Sequence, residues 1–309
     1  MLSTRGRLAG FAGAALFLVS ACTGSGASPS AAAPASVAPS TSPSEAASAA
    51  PAASASAAPT YTLPAAITSA RKIVWCVDVS YPPEEFYAAD GSTAQGSDID
   101  IANEIDKRFG VGTTISNTGF DGIIPALLAK KCDLVISGMN DTAKRATQVD
   151  FVDYLKVGQG LLVPVGNPKG IHTLEDLSGK SVAVQLGTTN KDALDAENVK
   201  LKAAGKALIE IKTYQQDTDG FQQLALGRVD AFSTDSPVVA YYNSKPENAG
   251  KFEVGGTPID PAPIGIAVAK DNTALRDAVK AAIAAMYADG TMKAIVANWG
   301  MTNAVVLLQ

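Results

Sequence analysis

The sequence predicts an α/β protein whose folded body, residues 61–309, is built as two similar lobes with a cleft between them. Three observations lead there. A strand–helix–helix–strand series runs from Lys72 to Ser137, the order of a parallel sheet with helical crossovers. The same kind of pattern restarts after Gly170. It returns a third time at residues 263–270, ahead of a long amphipathic helix.

Each element has its own reason. Lys72-Ile-Val-Trp-Cys-Val-Asp78 is a β-prone apolar run ending in a carboxylate, a buried strand. Between Asp98 and Phe109, Ile101, Ala102, Ile105 and Phe109 share a helical face, and Gly110 is placed to stop it. Asp121 can cap a second helix, in which Pro125 is tolerated because it lies in the first turn. Residues 132–137 form another buried strand. In the second half, Thr173 and Asp176 fit a capping box, residues 181–185 a strand, and Leu186-Gly-Thr-Thr189 a loop opening onto a helix. A strand over residues 229–233 leads into Thr234 and Asp235. In the last long helix Leu275, Val279, Ile283 and Met286 make the apolar stripe and Gly290 ends it; Ile295, Val296 and Trp299 lie on a short closing helix.

The N-terminus reads as an address and a tether. Residues 1–21 carry Arg5 and Arg7 ahead of a short apolar stretch, the pattern of a secretory signal, too short to cross a bilayer comfortably as a helix of about 20 residues. Leu18-Val-Ser-Ala-Cys22 resembles a bacterial lipobox, which implies lipidation of Cys22 and a membrane anchor. Residues 22–60 then form a linker of Ala, Ser, Pro, Gly and Thr, interrupted only by Val37 and Glu45 after the Cys. Such a segment is expected to be disordered and to span about 35 Å.

Composition removes several functions. Only 18% of the residues are charged and the net charge is −5, so no basic excess exists for nucleic acid. One His and three Cys leave little for a zinc site or for His-dependent nucleophilic catalysis, and no cofactor is expected.

Ligands in open sheets sit beyond the carboxyl ends of strands, and four chemical types collect there. Tyr81 and Phe120 are aromatics able to sandwich a side chain. Arg145 follows Ser137-Gly138-Met139-Asn140-Asp141-Thr142, so a guanidinium fork, hydroxyls and backbone donors can share a carboxylate. Thr188 and Thr189 open a helix whose N–H groups face the same anion. Asp235 can accept from an ammonium group, and Asp78 is a second carboxylate across the pocket. Together these describe a site for an α-amino acid. At about ten heavy atoms, micromolar affinity (about −8.2 kcal/mol) needs roughly 0.8 kcal/mol per atom, which requires near-complete enclosure by a closing cleft.

The body resembles family 3 of the bacterial extracellular solute-binding proteins. Tyr81-Pro-Pro83, Asp98-Ile-Asp-Ile-Ala102, Phe120-Asp-Gly-Ile-Ile-Pro-Ala-Leu127, Ser137-Gly-Met139, Arg145, Val149-Asp-Phe151, Gln185-Leu-Gly-Thr-Thr189, Gly227-Arg-Val-Asp-Ala231, Asp235-Ser-Pro237 and Gly265-Ile-Ala267 follow its pattern in order. The resemblance implies a two-lobed periplasmic-binding-protein-like fold of type II, with two parallel-sheet lobes joined by two crossover segments. Lobe 1 would comprise residues 61–158 and 264–309, and lobe 2 residues 159–263. It implies that Tyr81 and Phe120 stack on the ligand. Ser137 (through its carbonyl) and Asp235 would hold the ammonium, and Thr142, Arg145 and the Thr189 N–H the carboxylate. Asp78 would read a polar side chain, with Gln185 bordering the ligand. Two positions depart from the pattern. Asn140 stands where Thr is usual, and Glu84 where an aromatic is common.

The expected function is extracytoplasmic capture of a polar or charged amino acid by a monomeric lipoprotein that serves an ABC permease, without catalysis. A sensor or scavenging module on the same fold, or an enzyme resembling cyclohexadienyl dehydratase with Glu84 or Glu85 as its acid, are the alternatives. Other residues carry plainer expectations: Glu84 as a solvated loop charge, His172 on the surface, Asp98 and Asp100 as charges at a helix N-terminus, Trp299 in core packing. Cys76 and Cys132 sit near the start or middle of neighbouring strands. Export permits a disulfide between them, but the reading leans towards two buried thiols.

Overall fold

A computed structural model describes residues 60–308, apart from Pro258 and Asp260. The signal segment, Cys22 and nearly all of the linker lie outside the described residues.

Lobe 1 is organised by a six-stranded sheet in the order β14-β7-β13-β6-β1-β5. Its members are β1 (Lys72–Val77), β5 (Gly112–Asn117), β6 (Leu134–Val135), β7 (Val149–Val157), β13 (Ala262–Ala269) and β14 (Val305–Leu307). β2 (Ser80–Tyr81), β3 (Glu85–Tyr87) and β4 (Ala94–Gln95) form a small antiparallel sheet beside it. Lobe 2 has a five-stranded sheet in the order β10-β9-β11-β8-β12, made of β8 (Gln159–Pro164), β9 (Ser181–Gln185), β10 (Glu210–Tyr214), β11 (Ala231–Asp235) and β12 (Phe252–Val254).

Both sheets are mixed. β1 runs parallel to β5 and β6, and β9 parallel to β10 and β11, as helical crossovers require. The remaining pairings, those of β7, β13, β14, β8 and β12, are antiparallel. The long strands that connect the lobes enter each sheet against its parallel part, a reversal that local patterning does not disclose.

Strand alternation divides the lobe 1 core in two. Ile73, Trp75 and Val77 of β1 face a cluster with Ile101, Ile105, Leu134, Ile266, Leu275, Val279, Ile283 and Met286, while Cys76 faces Ile123, Leu127, Val135 and Val149. The helices supplying these residues are α2 (Ser97–Phe109), α3 (Ile123–Leu128) and α8 (Thr273–Ala288), where the apolar periodicity places them. They follow the short α1 (Ala65–Ala70), and α8 precedes the closing α9 (Thr291–Asn298). Trp75 is fully buried, and its indole N–H donates to Asp106 Oδ2 at 2.8 Å, which satisfies the one polar atom it brings inside. Lobe 2 repeats the scheme. Leu161, Val163, Val182 and Val184 face one cluster, and Leu162, Ala183 and Phe232 the other.

Cys76 and Cys132 are joined by a disulfide, with their Cα atoms 5.7 Å apart. The lean towards two free thiols is corrected: β1 and β6 are adjacent and parallel, and Cys132 precedes β6 at the level where it reaches across to Cys76.

The chain crosses between the lobes twice. Gly158 alone separates β7 from β8, while residues 255–261 separate β12 from β13. Gly158 is tied to the start of α7 (Ser236–Ser244). Its N–H donates to Ser236 Oγ at 3.1 Å, and its carbonyl accepts from Ser236 N at 2.6 Å. Ser236 Oγ in turn donates to Ala304 O of lobe 1.

Candidate functional site

Between the lobes lies a cavity lined from both sides. Every sequence-predicted site residue except Thr142 lines it: Asp78, Tyr81, Phe120, Ser137, Gly138 and Asn140, then Arg145, Gln185, Thr188, Thr189 and Asp235. Thr142 stands outside. It is the N-cap of α4 (Ala143–Ala146), its Oγ1 accepting from Arg145 N at 3.2 Å, so it orients the arginine instead of facing the cavity.

The walls assemble from strand ends. Asp78 follows β1. Its backbone N–H donates to Ser137 Oγ at 3.1 Å. Its Oδ1 accepts from Ser80 Oγ at 2.7 Å, and its Oδ2 from Phe120 N at 2.8 Å and Gln185 Nε2 at 2.9 Å. Ser137 Oγ donates onward to Glu85 Oε1 at 2.7 Å. Gly138 has a φ of +51°, and a Cβ there would lie 2.8 Å from the Tyr81 ring, so the aromatic wall rests directly on glycine backbone.

Opposite, Thr188 caps α5 (Thr189–Ala203), its Oγ1 accepting from Lys191 N, which turns the N-terminus of that helix towards the cavity. Arg145 lies over the Phe120 ring, 5.2 Å from its centroid. Its Nη1 donates to Asn140 O at 2.9 Å and its Nη2 to Gly187 O at 3.1 Å. Asp235, at the end of β11, accepts from Tyr81 O–H at 2.6 Å and from Asn190 Nδ2 at 2.8 Å.

Several of these bonds join the lobes: Tyr81 to Asp235, Gln185 to Asp78, Thr189 Oγ1 to Asn140 Oδ1 at 2.7 Å, and Arg145 to Gly187. The lobes are closed on each other.

The electrostatics are one-sided. Asp78, Glu84, Glu85, Asp98, Asp217 and Asp235 are all buried within or behind the cavity, and Arg145 is the one cation lining it among the described residues. Burial pushes Asp78 and Asp235 above the usual carboxylate range, and Glu84, Glu85 and Asp217 well above it. Burial lowers Arg145, opposed by the Asp235 and Asp192 charges.

One expectation is corrected here. Glu84 is not a solvated loop charge: it is fully buried, with both carboxylate oxygens unpartnered. The Pro83 and Glu84 carbonyls accept from Ser97 N and Asp98 N at the start of α2, which pins this turn beneath the helix. Gly96 permits the approach, since a Cβ there would lie 2.0 Å from Glu84 O. Glu84 does not line the cavity; the carboxylate added near Asp78 is Glu85. Asp98 and Asp100 stand in the first turn of α2 as expected; Asp98 is turned inward, accepting from Gly138 N at 2.9 Å and Tyr154 O–H at 2.7 Å, and Asp100 accepts from the Trp299 indole N–H at 2.7 Å.

Burial pushes Asp98 up to about 6, against its hydrogen bonds from Gly138, Tyr154 and Glu85, and Asp106 up to about 7, against those from Trp75 and Thr113. In the unfolded chain both return to about 3.9. From about pH 4 to pH 7 the folded protein therefore holds protons that the unfolded chain releases, and stability falls as pH rises through that window. Thermal melts should give a lower midpoint at pH 8 than at pH 5.5, and Asp98→Asn should flatten the difference. An equal or higher wild-type midpoint at pH 8 would contradict this.

The cavity also has lining residues that sequence reasoning did not place in the ligand set: Glu85, Asn190, Asp217, Ser233 and Thr234. Asn190 follows the Thr188-Thr189 helix opening and Thr234 precedes Asp235, so position along an element was the available signal. Asp217 begins α6 (Asp217–Ala225), where it resembles any helix-start acid.

Residues 73–302 match the bacterial extracellular solute-binding proteins, family 3. The chain belongs to that family. This solute-binding protein is 32% identical over 221 residues to the L-cystine-binding protein TcyJ of Escherichia coli strain K12, covering 71% of this chain and 79% of the relative. A solved ancestral arginine-binding protein bound to arginine matches with a TM-score of 0.68 and 38% identity, over 74% of this chain and 97% of that one. The ancestral amino-acid-binding protein AncCDT-1, described as a precursor of cyclohexadienyl dehydratase, matches with a TM-score of 0.68 and 34% identity, over 76% and 97%. The two-lobed fold of this solute-binding protein is thus that of periplasmic amino-acid-binding proteins.

Proposed function

We propose that this protein is the extracytoplasmic binding component of an ABC importer and that its solute is an α-amino acid, with a cationic side chain preferred. The observation that carries this reading is that Arg145, from lobe 1, and Asp235, from lobe 2, line one cavity between the lobes. Arg145, with Asn140 and the N-terminus of α5, suits an α-carboxylate. Asp235, held by Tyr81 and Asn190, suits an α-ammonium. Tyr81 and Phe120 flank the ligand stem. The excess of carboxylates in and behind the cavity favours a ligand of positive charge. Relatives that bind arginine and cystine support the amino-acid class. Lipidation at Cys22 would hold the receptor near its permease, and closure of the lobes would present the form that the permease recognises. The same cavity would serve a sensor or scavenging module.

Isothermal titration with the twenty standard amino acids tests the reading. A cationic member should bind at micromolar affinity or tighter. Absence of any binding below millimolar would remove the proposal.

One observation favours an enzymatic reading: Glu85 lines the cavity with its carboxyl held well above the usual range, as a general acid requires. Against it, prephenate and arogenate each bring two carboxylates into a cavity already crowded with acids. Turnover of either compound would reverse the preference.

A further inference from the structure

The two ends of the cavity are not equally satisfied. At the Arg145 end, Arg145, Asn140 and Thr189 are all bonded within the protein. At the opposite end Asp78 already accepts three hydrogen bonds. Two further carboxylates line that part of the cavity, and one of them keeps an oxygen without a partner. Glu85, from lobe 1, accepts from Ser137 on Oε1 and shares a side-chain hydrogen bond with Asp98 behind it. Asp217, from lobe 2, accepts from Thr234 Oγ1 at 3.0 Å on Oδ1 and leaves Oδ2 unpartnered. Both residues line the cavity and are at most 1% exposed. A buried acceptor left open costs about 1–3 kcal/mol, more when charged, unless something donates to it.

Asp217 is held at this position by a bond across the lobe boundary. Its backbone N–H donates to Ser80 Oγ at 3.1 Å, and Ser80 Oγ donates to Asp78 Oδ1. Lobe 2 thus docks on lobe 1 through a serine that links Asp217 to Asp78 and brings a third acid to that end.

We propose that Asp217 is a specificity-determining residue: with Glu85 it forms a second cation subsite, divided between the lobes, for the distal ammonium or guanidinium of a dicationic amino acid. The proposal rests on the amino-acid reading above and refines it. A ligand bearing the distal cation neutralises acids that closure brings together. A neutral ligand of the same shape leaves them protonated and forgoes that ion pair. Selectivity for charge therefore resides in the closing step as well as in the open lobe.

The test compares L-arginine with L-citrulline, its uncharged near-isostere, by titration calorimetry on the wild type, Asp217→Asn and Glu85→Gln. The wild type should favour arginine by at least a hundredfold. Each variant should lose tenfold or more for arginine and stay within about twofold for citrulline. Small-angle scattering of the wild type should show contraction with saturating arginine and a smaller one with citrulline. Thermal melts of the free variants report whether they fold, and either variant suffices if the other does not. Equal losses for both ligands would mark a structural role and overturn the proposal, as would an unchanged arginine-to-citrulline ratio. If the wild type binds neutral amino acids but not arginine, only the second subsite fails. If it binds no amino acid, the underlying reading fails with it.

Discussion

Replacing Arg145 with Ala should lower the affinity for every amino-acid ligand by about a thousandfold. The guanidinium is fixed in three ways, over the Phe120 ring and by bonds to Asn140 O and Gly187 O, so little ordering remains when an anion arrives. It is also the cation that offsets the acids around it. Without it, an α-carboxylate would enter a cavity of net negative charge and meet only neutral donors. Removing one partner of a buried ion pair costs about 3–5 kcal/mol, and about 4 kcal/mol is close to a thousandfold. Arg145→Lys should fall between, since it keeps the charge and loses the fork. Calorimetric titration, with circular dichroism to verify folding, measures this. If the Ala variant stayed within tenfold of the wild type, the ligand would lie in another orientation.

The double substitution Cys76→Ala/Cys132→Ala should lower the thermal midpoint by about 10 °C. The bond closes a sequence separation of 56 residues, and releasing that loop in the unfolded chain costs the folded state about 4 kcal/mol. In a protein of this size each kcal/mol moves the midpoint by about 2–4 °C. Reduction of the wild type should reproduce the shift. The effect should extend to binding, because the bond ties Cys76, two residues before Asp78, to the start of the segment that runs through β6 to Ser137. A shift below about 2 °C would mean that the unfolded chain remains ordered around this loop.

Much of the fold was legible because its signals are local. The stripe of Leu275, Val279, Ile283 and Met286 and the apolar run of β1 declare helix and strand through period alone. β5 was missed because Gly112-Thr-Thr-Ile-Ser-Asn117 is a half-exposed edge strand of mainly polar residues. β2, β3 and β4 are too short to show a period. The antiparallel entry of β7 and of β8 into their separate sheets is a property of chain direction between lobes, which no window of sequence contains. At the site, Arg145, Asp235 and Asp78 could be nominated because they follow predicted strands or their loops. Glu84, Asp98 and Asp217 could not, since a buried acid in a turn or at a helix start has the same local sequence as an exposed one. Only the packing of Gly96 on Glu84, of Gly138 N–H on Asp98, and of lobe 2 on Ser80 separates them.

The single residue between β7 and β8 constrains how ligand can leave. One junction has almost no spare length, and Ser236 holds it from both sides; the other has a strap of residues 255–261. Rotation must then pivot near Gly158, with the strap following. Departure is governed by the free rim swinging outward about a nearly fixed corner, so lengthening the strap should alter off-rates far less than inserting one residue at that corner.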